Sequence, residues 1–298
     1  MENFLGIPLP VLAAQILVGL MNGAFYAALT VGLAIIFGLL NMINFAHGAM
    51  YMLGAFIAWY LLANFGIGYW GALIIAPVIA GFVGVVIERT LLARIKGADH
   101  LYGLLLTFGI ALMIESLIRA NYGSSGLPYA APSALEGGVA LPFMFLPFYR
   151  TWVIACACGV CLLTWLALEK TDLGARLRAA IEDADLLQAL GVNVPVMVTF
   201  TYAFGVALAS LAGVLMAPVY SVHPSMGSEV IIVIFALVVI GGMGSIVGSI
   251  ITALTMGVAE TFVKFFYAPG ASMVVFVIMI LVLLVRPQGL FGAPENKL

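Results

Sequence analysis

Charge is what this sequence most lacks. Of 298 residues only 8% are Asp, Glu, Lys or Arg, against 64% hydrophobic, whereas a soluble domain carries about 25% charged residues. Between Glu2 and Glu88 there is no charged side chain at all, which excludes a water-facing surface of that length. A basic surplus is missing too: the net charge is −2, so no face is set up for nucleic acid. Cysteine is scarce, with Cys156, Cys158 and Cys161 all inside the apolar run 151–168, and no disulfide framework follows. No His or carboxylate accompanies them, and positions two apart on a helix point in different directions, so they read as packing residues and not as metal ligands. The G-x-x-x-x-G-K-[ST] phosphate loop is absent, as are H-E-x-x-H and G-x-S-x-G. No catalytic residue, metal or cofactor is expected, and any ATP chemistry must sit on another chain.

What is present is apolar sequence in membrane-length pieces. Runs occur at about 11–29, 31–43, 48–64, 70–88, 101–120, 148–168, 195–218, 229–243, 246–267 and 271–286. A span takes about 20 residues at 1.5 Å rise per residue, so 31–43 and 229–243 are too short to cross as regular helices. The expected fold is an all-α polytopic bundle of about 8–10 segments with interrupted helices, one transmembrane domain over 1–298. The N-terminal MENFLGIPLPVL lacks the Lys or Arg of a secretory signal, so its apolar run is expected to be a retained span. Lys and Arg in short loops mark the cytoplasmic side. Arg89, Arg94 and Lys96, then Lys170, Arg176 and Arg178, and finally Arg286 and Lys297 place three such stretches. The connection 121–147, with Glu136 as its single charge, is expected outside, as a periplasmic loop.

One cytoplasmic stretch is too charged for a plain connection. Glu169 to Asp185 holds eight charged residues in seventeen, a third of the chain's total. Thr171 or Asp172 can cap a helix, Leu173, Leu177, Ala180, Ile181, Ala184 and Leu187 recur at helical spacing, and Gly191 with Pro195 ends it. The expectation is one amphipathic helix over about 172–190, within a loop of about 169–194. Surface-lying membrane helices are rich in Lys and Arg, and this one carries at least as much acid as base, with Asp172, Glu182, Asp183 and Asp185 beside Arg176 and Arg178. That balance favours a protein partner over lipid, with a passive linker as the alternative.

The stretch TDLGARLRAAIEDADLLQALGVNV resembles the cytoplasmic coupling loop of permease subunits of ABC importers of the branched-chain amino acid type (LivH-like). NMINFAHGAMYMLGAF at 41–56, GGMGSIVGSIITA at 241–253 and RPQGLFG at 286–292 match further motifs of that family in the same order. The resemblance implies a multi-pass subunit of the bacterial inner membrane that pairs with a second homologous permease. It also implies two cytoplasmic ATPase subunits on the coupling loops and a periplasmic substrate-binding protein. By the resemblance, Asp172, Arg176, Arg178, Glu182, Asp183 and Gly191 make or shape the ATPase contact. Arg178 and Glu182 are also i,i+4 neighbours and can pair locally.

Polar residues buried in a membrane are costly unless satisfied, which marks them as pathway candidates. Asn41, Asn44 and His47 precede Gly48 inside otherwise apolar sequence, and Gly242, Gly244 and Ser245 form a second interruption. Interrupted helices at membrane depth lie in protein or line a cavity, and one break per half fits a pseudo-symmetric transporter. Glycines four apart, Gly19 with Gly23 and Gly244 with Gly248, also serve as helix-packing notches. His47 reads either as a proton relay or as a core histidine bonded to a backbone carbonyl. The pairs Glu115/Arg119 and Glu260/Lys264 read as interfacial ion pairs or as contacts for the binding protein, and Glu229 as a helix N-terminal acid. The function expected is ATP-driven import of branched-chain or related amino acids. The alternatives are an ion-coupled secondary transporter, or the same class of importer moving another small solute such as an amide or aromatic acid.

Overall fold

The computed structural model describes residues 3–4, 7–40, 43–95, 97 and 99–292; Asn41, Lys96 and Lys297 lie outside them. Eight helical stretches among these are long and apolar enough to cross a membrane, and a ninth, shorter apolar helix accompanies them. In chain order the long helices are α1 (Leu9–Leu40), α2 (Ala46–Phe65), α3 (Tyr69–Thr90), α4 (His100–Tyr122) and α5 (Phe148–Glu169). Then come α6 (Asp172–Glu182) and α7 (Ala184–Ala189), followed by α8 (Val194–Met216), α9 (Met226–Gly241), α10 (Ile246–Phe266) and α11 (Ala271–Val285). Strands among the described residues are the pair β1 (Asn3–Phe4) with β2 (Ile7–Pro8) and the hairpin β3 (Gly138–Leu141) with β4 (Met144–Pro147).

The expected segments 11–29 and 31–43 are one helix. Thr30, the polar residue between them, turns its hydroxyl to the carbonyl of Ala27 at 3.1 Å, so the polar atom is satisfied within the helix and nothing interrupts the backbone ladder. The resulting 32 residues reach about 48 Å, well beyond the ~30 Å hydrocarbon core. The last turn reaches α7 and the start of α8, where Leu39 and Leu40 pack against buried Leu187 and Val194. His47, in the first turn of α2, lies against the carbonyl of Leu29, eleven residues before the end of α1, so α2 begins about 16 Å in from that end.

The expected single helix over 172–190 is two helices meeting at Asp183. There the backbone is extended, with φ −150° and ψ 95°, and the carboxylate caps α7 by accepting from the amide of Leu186 at 2.8 Å. The Asp side chain competes with its own helix for backbone donors, which is why it breaks the continuous pattern. Thr171 does not cap α6; its hydroxyl donates back to the carbonyl of Ala167. Gly191 follows α7 at φ +88°, the left-handed conformation that suits glycine just past a helix end.

Helices α1 and α8 form the centre, and α4, α5 and α11 turn most of their surface outward. The core depends on close backbone approach. A Cβ at Gly23 would lie 2.8 Å from the Cα of Leu254, and one at Gly257 would lie 2.4 Å from the amide nitrogen of Gly23. Gly19 and Gly23 are therefore packing notches for α10. One end of the bundle gathers Arg89, Arg94, α6, α7 and Arg286, which we call the basic end. At the opposite end, Leu127 and Val222 exchange two backbone hydrogen bonds of 2.8 and 3.0 Å, tying the long 123–147 connection to the segment before α9.

Candidate coupling surface and translocation path

Helix α6 is pressed onto the last turn of α5. A Cβ at Gly174 would sit 1.6 Å from the carbonyl oxygen of Leu168, so any other residue there would hold the helices apart. One turn later the Nη1 of Arg178 donates to the same oxygen at 2.9 Å and lies 3.4 Å from the Glu169 carboxylate. Arg178 thus binds α5 and is not the partner of Glu182, because the guanidinium reaches across the 170–171 turn instead of along its own helix. Leu187 fixes α7, packed with Val194 and Val198 of α8 and with the end of α1.

The outer side of this element is mixed. Asp172, Arg176 and Glu182 are exposed, and no ion pair within 4 Å engages them among the described residues. Between them stand Leu173, Ile181, Leu186 and Leu190, which are 54–73% exposed. The helical spacing of Leu173 and Ile181 marks an apolar face, but the structure leaves that face half open. Of the six coupling candidates, Asp172, Arg176 and Glu182 face outward, Arg178 and Asp183 hold the element together, and Gly191 shapes its exit.

The two interruptions are not brought together. Asn44, 1% exposed, accepts from the amide of Ala46 at 3.1 Å and donates to the Tyr202 hydroxyl at 3.2 Å, so it both starts α2 and ties it to α8. His47 is fully buried, and its Nε2 is 3.1 Å from the Leu29 carbonyl. A carbonyl only accepts, so Nε2 carries the hydrogen, and Nδ1 has no partner among the described residues. Gly48 meets α9: a Cβ there would be 2.5 Å from the carbonyl of Gly227, and one at Gly227 would be 2.4 Å from that of Gly48.

The second interruption lies at the basic end. Gly242 and Gly244 have φ of +101° and +85°, and Ser245 caps α10 through the amide of Gly248 at 3.1 Å. The RPQGLFG tail closes over it, with Leu290 and Phe291 donating to the carbonyls of Ile240 and Gly241. Gly244 and Ser245 share a pocket with Leu177, Arg178 and Ile181 of α6 and with Gly38 of α1. The second interruption therefore lies beside α6, and the first sits deeper, between α1, α2, α8 and α9.

Of the intramembrane pairs, Arg119 lies 2.5 Å from Glu115 and also bonds Ser225 at 3.2 Å. Glu260 instead accepts from the hydroxyl of Tyr26 at 3.0 Å, and no ion pair joins it to Lys264 among the described residues. Glu229 stands in the first turn of α9, which begins at Met226, earlier than the hydropathy boundary, and lies 3.9 Å from His223. Leu187, expected on the apolar side of the helix, is buried, whereas sequence reasoning missed Gly174 and the buried Glu88, whose carboxylate is 2.6 Å from the Thr199 hydroxyl. For Glu88 a signal existed: a carboxylate ending an apolar run calls for a donor nearby.

A family model described as branched-chain amino acid transport system / permease component matches residues 11–284. The chain is 33% identical to the high-affinity branched-chain amino acid transport system permease protein BraD of Pseudomonas aeruginosa, over 94% of this chain and 96% of that one. It is 30% identical to the corresponding permease protein LivH of Escherichia coli K12 with the same coverage. To LivM of the same organism it is 26% identical, over 92% of this chain and 69% of that one, so it resembles two different permeases of one bacterium. Among solved structures, PsaBC from Streptococcus pneumoniae in complex with Fab shares the fold at a TM-score of 0.50 and 11% identity, covering 92% of this chain and 93% of that one. With its many apolar helices and this likeness over nearly its whole length, the chain is a multi-pass membrane protein and belongs to the family of branched-chain amino acid transport system permease components.

Proposed function

We propose that this chain is the transmembrane permease subunit of an ATP-driven, binding-protein-dependent importer for branched-chain or related amino acids in the bacterial inner membrane. It works beside a second homologous permease, with two ATPases on the basic, cytoplasmic end and a periplasmic binding protein at the other. The whole chain acts as one permease domain, its coupling loop at about 169–194 and its outer loop at about 121–147. The observation that carries this reading is the half-open ridge of Leu173, Ile181, Leu186 and Leu190, set among the unpaired Arg176 and Glu182. Exposed apolar residues rimmed by free charges of both signs suit a specific protein partner.

Closure of the ATPases pushes α6 and α7. Gly174 and Arg178 pass the displacement to α5, and Leu187 passes it to the end of α1 and the start of α8. Helix α1 in turn holds His47, and α8 holds Asn44, so motion at the coupling surface reaches the start of α2. Asn44, His47, Gly48, Gly242, Gly244 and Ser245, with Asn41, then lie along or beside the route of the solute. The test is leucine uptake into proteoliposomes holding all partner subunits. The charge-reversing pair Arg176→Glu and Glu182→Lys is expected to abolish ATP-driven uptake, and unchanged uptake overturns the docking assignment.

A further inference from the structure

At the end opposite α6, helices α1, α2 and α9 and the segment before α9 enclose a cavity of about 130 Å³. Its wall includes Asn22, Tyr26, Tyr51, Tyr220, His223 and Glu229. Three features of this wall are unlike the rest of the apolar core. Tyr51 is only 2% exposed, its hydroxyl lies near Tyr220, Glu229 and Tyr26, no hydrogen bond to it is found among the described residues, and it is not one of the enclosed unpartnered polar atoms, so its oxygen opens onto the cavity. The acidic groups outnumber the basic ones: Glu229 stands at the mouth, Glu260 lies behind Tyr26, and neither Lys nor Arg lines the space. The aromatic residues Phe25, Tyr26 and Tyr220 make up much of the remainder.

We propose that this cavity holds the amino acid on its way into the permease, with Glu229 pairing with the α-ammonium group. The Tyr51 hydroxyl accepts a second hydrogen from that ammonium, and the rings of Phe25 and Tyr26 flank the apolar side chain. In this assignment the Asn22 amide, which also reaches the Thr261 hydroxyl at 3.5 Å, and the imidazole of His223, 3.9 Å from Glu229, donate to the carboxylate of the amino acid. The volume, below the roughly 300–1,000 Å³ of sites for larger ligands, suits one small zwitterion and excludes a peptide. This assignment rests on the proposed transport of branched-chain amino acids, and it places recognition in the permease as well as in the binding protein.

The test uses the full complex in lipid nanodiscs without nucleotide, irradiated with photo-leucine, and maps the labelled peptides. Labelling of the segments carrying Tyr51 and Met226 is expected, competed by leucine and by 3-methylbutylamine and not by 4-methylpentanoate, which lacks the amine. Tyr51→Phe and Glu229→Gln are each expected to weaken that labelling about tenfold, the factor for one lost charge-assisted hydrogen bond, with the complex still eluting as assembled. Labelling elsewhere only, equal competition by 4-methylpentanoate, or displacement by sodium chloride alone, which marks an inorganic cation site, overturns the proposal. Leucine uptake by the unaltered complex is measured in parallel. Uptake without labelling overturns the cavity assignment alone, whereas neither uptake nor labelling overturns the substrate reading with it.

Discussion

The guanidinium of Arg178 lies 2.9 Å from the carbonyl oxygen of Leu168, so the second turn of α6 is bonded to the last turn of α5. A carbonyl at a helix end has no partner within its own helix, and a cation there also complements the helix dipole. Being solvent-exposed, the bond contributes little to overall stability. Its consequence is mechanical: α6 cannot move without α5. Arg178→Ala is therefore expected to leave the melting temperature within about a degree or two, in line with a surface substitution, while the amount of solute moved per ATP falls several-fold. Transport and hydrolysis are measured together in proteoliposomes, and an unchanged ratio refutes the mechanical link.

Glu88 and Thr199 form a second link near the basic end. The carboxylate is 6% exposed and 2.6 Å from the Thr199 hydroxyl, which also lies 3.0 Å from the carbonyl of Pro195. Thr199→Val keeps the shape and removes the donor, leaving a buried carboxylate without its bond at a cost of about 1–3 kcal/mol. Thr199→Ser keeps the hydroxyl and is expected to cost less than 1 kcal/mol. Thermal unfolding in detergent ranks the two, and equal losses mean that the hydroxyl carries no energy here.

Asn44 makes two bonds that substitution can separate. Tyr202→Phe removes the partner of its Nδ2 and leaves Oδ1 on the amide of Ala46, a change worth about 1 kcal/mol. Asn44→Ala removes both and adds the loss of a helix-starting bond, about 1 kcal/mol more. The larger drop in melting temperature is expected for Asn44→Ala. If the two variants melt alike, the bond to Ala46 contributes nothing.

Much of this architecture is legible in the sequence, because a span must be long and apolar to satisfy its backbone in lipid. The ten expected runs correspond to nine apolar helices among the described residues once 11–29 and 31–43 are joined. The join was hidden because Thr30 looks like an interruption until its hydroxyl is seen on Ala27. The break at Asp183 was hidden for the converse reason: an acid on the polar side of a regular pattern gives no sign that its side chain will replace the backbone partner. Local charge density marks the stretch that forms α6 and α7, but Gly174 and Leu187 acquire their roles only when α6 and α7 meet α5, α1 and α8. Contacts between distant segments leave no trace in local periodicity, and the cavity around Tyr51 is of that kind.

The crossing of α2 and α9 provides the last prediction. Gly48 and Gly227 face each other so closely that a Cβ on either would reach within 2.5 Å of the other's carbonyl oxygen. Each atom involved is backbone, so no rotamer change can relieve the contact, and the helices themselves must separate. Overpacking of this sort typically costs about 1–3 kcal/mol, and Gly48→Ala and Gly227→Ala are each expected to lower the melting temperature accordingly. Once the first methyl has pushed the helices apart, the second enters space already opened. The double variant is therefore expected to lose less than the sum of the two, with a coupling of about 0.5–1.5 kcal/mol, as neighbouring sites that share one backbone shift show. Full additivity in the double-mutant cycle refutes the shared crossing.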